Sequence, residues 1–155
     1  VGSTDASAAV EGYVPSVTYR PRGRVTAERS TGMLTASKKT ASDALHGAGF
    51  EGHYEDFDGG YTVGFETFTE DVDMTPRLKG LPDDLCPSPH WGYVITGKLT
   101  YRIGDRDEVI EAGEAFYVPA GHTLLTEAGT ELVFFSPTRE WHETVERIGT
   151  TPGDA

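Results

Sequence analysis

Apolar and polar positions alternate with a period of two through the middle of this chain, and turns rich in glycine and aspartate cut the alternation into short runs. Residues Phe50–Phe57 and 61–69 read as two strands joined at Asp58-Gly59-Gly60, a strong hairpin signal. His90–Thr96 is a run of aromatic and β-branched residues that suits a strand. Gly97-Lys98 turns it back into 99–103, Gly104-Asp105-Arg106 turns again into 107–110, and Glu111-Ala112-Gly113-Glu114 leads into Ala115–Val118. A buried strand is expected at 132–135. Short strands at this cadence predict an all-β sandwich or barrel.

Other stretches lack the alternation. Residues 13–29 read as short extended pieces, with Pro15 and Pro21 excluding a helix. Residues 30–49 read as a loop, in which Ser42-Asp43-Ala44-Leu45 starts one helical turn before Gly47 and Gly49 stop it; a loop this long suits a lid. Residues 71–84, with Pro76, Gly80 and Pro82, read as a second loop. In the tail the period changes. Trp141, Val145 and Ile148 stand at i, i+4 and i+7 and predict a short helix packed on the barrel, with Ser136 as N-cap and Pro137 as the first helical residue. Residues 1–12 are small and polar and are expected to be disordered, which leaves 13–150 as a single domain.

A chain of 155 residues buries roughly 70% of its unfolded surface and needs no disulfide or metal staple to fold. The net charge of −12 argues against nucleic acid and anionic membranes as partners. Cys86 is the one cysteine, so no internal disulfide forms. No apolar run approaches the roughly 18 residues needed to span a bilayer. The first residues carry no basic-then-apolar signal pattern, so a cytoplasmic location is expected. Asn and Gln are absent, so buried ligands must come from His, Cys, Asp or Glu. Arg20, Arg22 and Arg24 fall at alternate positions and would share one strand face, as a solvated edge or an anion contact.

Gly97, seven residues after His90, and the run Gly113-x5-Pro119-x-Gly121 resemble the two glycine-marked motifs of the cupin superfamily, over about 85–125. The resemblance implies a cupin-like double-stranded β-helix, a jelly-roll barrel, here with a short C-terminal helix. It also implies a homodimer. Carried over by spacing, the motif-one ligand positions, usually His, His and Glu, hold Asp84, Cys86 and His90. The motif-two His position holds Leu124, and its Asn position holds Ala128. None of the four usual ligands matches by type, although several replacements are themselves metal-binding types.

Cys86, His90 and His122 are the candidate metal ligands. His90 faces the barrel interior in the resemblance and reads as a ligand, a metal-free acid or base, or a structural histidine. His122 has the parity of position 124 on an extended chain, so it can point as the family's ligand does; otherwise it reads as a rim histidine hydrogen-bonded to backbone. Cys86 lies four before His90, in a segment held extended by Pro87 and Pro89; it reads as a thiolate ligand or a small buried hydrophobe. Asp84 is a possible fourth ligand and otherwise a loop carboxylate. His53 could complete the site from the opposite wall or be partly exposed, and His46 and His142 read as surface residues. Trp91, Tyr93, Phe116, Phe65 and Phe68 read as core or interface, or as the lining of an apolar cavity. Glu66 and Glu70 read as carboxylates on a solvated face, with a catalytic acid or base as the alternative.

Two functions of different class follow. One is a metal-dependent enzyme acting on a small oxygenated molecule by isomerase, lyase or cyclase chemistry, with the catalytic residues unknown. A thiolate and two imidazoles favour zinc as the divalent ion, with iron or nickel as alternatives. The other is a non-catalytic small-molecule-binding or sensor cupin.

Overall fold

The computed structural model describes residues 18–20 and 33–150; the expectations for 1–12, for Pro15 and Pro21, and for the Arg20, Arg22 and Arg24 side chains lie outside them. Eleven strands are present among the described residues: β1 (Thr18–Arg20), β2 (Asp43–Gly47), β3 (Phe50–Phe57), β4 (Tyr61–Phe68), β5 (Val72–Asp73), β6 (His90–Thr96), β7 (Lys98–Ile103), β8 (Arg106–Glu111), β9 (Ala115–Val118), β10 (Thr123–Thr126) and β11 (Thr130–Pro137). Helix α1 (Thr138–Thr150) follows. The strands form two antiparallel sheets, ordered β1-β2-β3-β4-β11-β6-β9 and β5-β10-β7-β8, in a jelly-roll arrangement.

The period-two pattern fixes which side chains enter the barrel. Along β11, Leu132, Phe134 and Ser136 are buried while Phe135 is exposed. Along β4 the inward set is Thr62, Gly64, Glu66 and Phe68. These face the inward set of β11 in register, Glu66 opposite Leu132 and Gly64 opposite Phe134. A Cβ at Gly64 would lie 2.4 Å from the Phe134 ring, so the glycine makes room for that ring. Along β6, His90 and Val94 point inward, and Trp91, Tyr93 and Ile95 are exposed.

The hairpin at Asp58-Gly59-Gly60 forms as expected, with φ of +94° and +82° at its glycines. Other expectations need correction. The loop at 30–49 contains β2, which pairs with β1 and β3; this pairing overrides the weak local helical signal at Ser42–Leu45. Within 71–84 lie β5 and two short 3-10 turns, Thr75–Leu78 and Pro82–Asp84. The tail helix begins at Thr138, so Ser136 and Pro137 end β11 instead of capping the helix. Trp141, Val145 and Ile148 are buried against the barrel as the spacing predicts. Arg147 Nε donates to the Lys79 carbonyl at 2.9 Å, tying α1 to the turn after Leu78. No helix among the described residues is long and apolar enough to cross a membrane.

Candidate metal centre

Three short pieces of backbone bring the site together. Cys86 forms an isolated antiparallel bridge with His122: the Cys86 N–H donates to the His122 carbonyl at 2.9 Å, and the Gly121 N–H donates to the Cys86 carbonyl at 2.8 Å. Gly121 adopts φ +89°, a conformation that favours glycine, and sets the chain direction just before His122. His90 enters from the start of β6. One ligand atom from each of Cys86, His90 and His122 lies within 4.8 Å of the other two, and all three residues are buried. Cys86 Sγ is 3.6 Å from His90 Nε2, and the two imidazole rings are 4.9 Å apart between centroids.

Both rings are oriented from behind. His122 Nδ1–H donates to the Pro119 carbonyl at 2.7 Å, leaving Nε2 as the atom free to bind. His90 Nδ1 is hydrogen-bonded to Ser136 Oγ, and its Nε2 faces the thiol. Burial holds the His90 imidazole well below its ordinary pKa, and His122 beside it adds to the effect. Burial also lowers His122, against the opposing pull of the Pro119 carbonyl. Both rings are therefore neutral near pH 7, the form that ligates. Burial pushes the Cys86 thiol up to about 11. A thiol of that kind becomes a thiolate when a cation binds it.

The three residues line a cavity of about 50 Å³, closed on one side by Trp141, Thr144 and Ile148 of α1. Glu66 and Tyr54 line the same cavity. The expectation that Glu66 stands on a solvated face is therefore wrong: the residue is 6% exposed, and Tyr54 Oη–H donates to its Oε1 at 3.0 Å. Burial raises its carboxyl to about 7, partly offset by the Tyr54 hydrogen bond. The signal was its parity with Thr62 and Phe68 on β4. Glu70 is exposed as expected.

Other candidates lie elsewhere. Asp84 is exposed and accepts a hydrogen bond from the Gly80 N–H at 2.7 Å, outside the three-residue cluster. His53 is half-buried and pairs with Glu51 at 2.5 Å, and it does not line the cavity. His46 is exposed and His142, partly exposed, contacts Asp56 at 3.0 Å. Of the five aromatic candidates, Phe68 lines the cavity, whereas Trp91 and Tyr93 stand on the outer face at 42% and 45% exposure. Leu124, at the motif-two His position, does line it.

Residues 87–131 match the Cupin domain family, a span that holds His90 and His122 and begins one residue after Cys86. With the antiparallel sheets above, this match bears out the cupin-like fold expected from Gly97, Gly113, Pro119 and Gly121. No curated protein matches the chain. Among solved structures, an RmlC-like cupin from Shewanella frigidimarina is similar at 19% identity, with 61% of this chain and 81% of that one covered and a TM-score of 0.43. The EutQ protein of Clostridium difficile is similar at 16% identity over 57% of this chain and 70% of that one, TM-score 0.41. A single-residue variant of oxalate decarboxylase from Bacillus subtilis is similar at 14% identity over 57% of this chain and 25% of that one, TM-score 0.45.

Proposed function

We propose that the protein is a metal-dependent enzyme acting on a small oxygenated molecule, with a divalent ion held by Cys86, His90 and His122. The observation that carries this reading is the convergence of one sulfur and two imidazoles within 4.8 Å, in a buried cavity that also holds an acid-base group. The donor set fits the ion. A soft thiolate with two neutral imidazoles suits zinc better than magnesium, calcium or manganese, and three protein ligands leave a fourth position for substrate.

A bound ion of this type would supply Lewis acidity towards a substrate oxygen. The chain's own residues do the rest. Pro119 and Ser136 hold the two rings in place from their Nδ1 sides. Glu66 holds a proton that it can exchange near neutral pH, and Tyr54 keeps that carboxyl in place. Much of the remaining wall is apolar, with α1 across one side of it. Redox-neutral chemistry of the isomerase, lyase or cyclase type needs only these parts.

Elemental analysis of protein purified without chelator tests the reading. One equivalent of zinc, iron or nickel, lost in Cys86→Ala and in His90→Ala, is the expected result. A well-folded protein that takes up none of these ions overturns it.

A further inference from the structure

We propose that the C-terminal half of α1 is the gate of this cavity: it swings away from the turn Thr75–Leu78 about the junction with β11, and Arg147 clasps it shut. The inference rests on the metal-centre reading only for what passes the gate, and its test needs no metal.

The wall requires a moving part. Of the residues that line the cavity, none but Leu124 exceeds 8% exposure. A hydrated ion or an organic molecule therefore reaches Cys86, His90 and His122 only when some element gives way. Most of the wall is rigid. Glu66 on β4, Phe134 on β11, His90 on β6 and Tyr101 on β7 each stand in a strand paired on both sides. Displacing any of them breaks ladder hydrogen bonds in two directions.

One seam has no ladder. There α1, which turns Trp141, Thr144 and Ile148 to the cavity, packs against the turn Thr75–Leu78, whose Leu78 lines the cavity too, as does the preceding Met74. The turn is the fixed side. Met74 N–H donates to the Leu124 carbonyl at 2.9 Å, and Thr75 Oγ1 is 3.0 Å from Thr123 Oγ1, so β10 holds it. Leu124, the least covered residue of the wall, thus adjoins the turn at this seam.

The helix is the mobile side. Its beginning is bound to the barrel: Thr138 N–H donates to the Gly60 carbonyl at 2.8 Å, Thr62 Oγ1 lies 3.1 Å from Thr138 Oγ1, and His142 Nε2 lies 3.0 Å from Asp56 Oδ1. Farther along, the buried Val145 and Ile148 make the closed position the populated one, and the exposed Arg147 reaches over to the Lys79 carbonyl, 2.9 Å from Nε. The acceptor is shaped for this contact. Asp84 Oδ1 takes the Gly80 N–H at 2.7 Å and steadies the turn. Gly80 stands at φ +88°, and a Cβ there would lie 2.0 Å from Arg147 Nη2, so glycine is what lets the guanidinium lie across it. Releasing Arg147 and the far half of α1 uncovers the cavity and leaves every β-ladder intact.

Cys86, the one cysteine, reports the gate from inside. Dithiodipyridine, a neutral disulfide too large for a cavity of about 50 Å³, labels this thiol only in an open state. The labelling rate of the metal-free full chain is measured against urea, beside global unfolding followed by circular dichroism. In the wild type the rate is expected to rise with urea at no more than roughly half the slope of global unfolding, the mark of a local opening. Arg147→Met keeps the aliphatic stem and removes the clasp, and it is expected to label about threefold to tenfold faster. Gly80→Ala, which drives a methyl into the guanidinium, is expected to do the same. Arg102→Met removes the Arg102–Asp107 pair of β7 and β8, outside the seam, and is expected to leave the rate unchanged. A wild-type slope equal to that of global unfolding, an unchanged rate in Arg147→Met, or an equal rise in Arg102→Met overturns the gate. A chain that labels as expected yet takes up no zinc, iron or nickel keeps the gate and loses the metal-centre reading.

Discussion

Ser136, at the inward end of β11, meets His90 Nδ1 inside the barrel, 46 residues away in sequence. The hydroxyl is completely buried, so the contact is shielded from competing water. It fixes which ring nitrogen of His90 is left for the cavity.

Ser136→Ala is therefore expected to lower metal affinity by roughly 10–100-fold, the range for losing an outer partner of a ligating histidine. Circular dichroism should remain that of the wild type, because the β11 backbone ladder is untouched. Titration of zinc against a chromophoric chelator reads the affinity directly, and equal affinity in the two proteins would show that the hydroxyl does not orient the ring.

Cys86 is expected to be a ligand and not merely a filler of the core. Cobalt-loaded wild-type protein should show sulfur-to-cobalt charge-transfer absorption, and Cys86→Ala should lose it together with more than the ~100-fold upper range for an outer partner. Cys86→Ser keeps the volume and tests the same point with little change in packing. Chelation of the wild-type protein should lower its melting temperature, since an ion that binds the folded state stabilises it by mass action.

Much of this centre was legible because it depends on local features. Strand parity placed His90 and His122 indoors, and the Pro-Ser-Pro segment after Cys86 kept that residue extended and four positions from His90. The features that escaped are non-local. Nothing near Asp43–Gly47 signals a strand, and the element exists through its pairing with β1 and β3. Ser136-Pro137 carries a good helix-start signature, yet the β4–β11 ladder holds both residues in the sheet up to the Pro137–Tyr61 pair. Glu66 was hidden differently. Its alternation with Phe68 was visible, but an acidic residue is almost never fully buried unless paired, and the Tyr54 hydroxyl that meets it comes from another strand.

Gly97 is expected to be intolerant of any side chain. It stands at φ +71°, and a Cβ there would lie 2.7 Å from Thr130 Cα, a backbone atom that cannot swing away. Gly97→Ala combines left-handed strain with overpacking and should cost roughly 2–5 kcal/mol. Gly104, also at positive φ but with nothing within 4 Å of a built Cβ, is the control: Gly104→Ala should cost only the conformational part, about 1–2 kcal/mol. Urea unfolding of the two variants gives the difference.

Glu66 should leave a signature in the pH dependence of stability of the metal-free protein. Its carboxyl is raised by burial from 4.5 to about 7, so between those values the folded state binds a proton that the unfolded state has released. Stability from this group is complete below about pH 4.5 and is lost as pH rises through about 7, by on the order of 3 kcal/mol. His90 and His122 act in the opposite sense. Their depressed values mean that stability is present above the unfolded histidine value and falls as pH drops below it. Tyr54, Tyr101 and Cys86, the other titratable groups on the cavity, are raised by burial and stay protonated throughout this window. Wild type alone would thus show two opposing slopes. Glu66→Gln removes one of them and keeps the histidines, so the difference in unfolding free energy between the two proteins isolates the carboxyl. That difference should shift by about 3 kcal/mol in favour of Glu66→Gln between about pH 4.5 and 8. A pH-independent difference would mean that the carboxyl titrates alike in both states and is not held in a dry cavity.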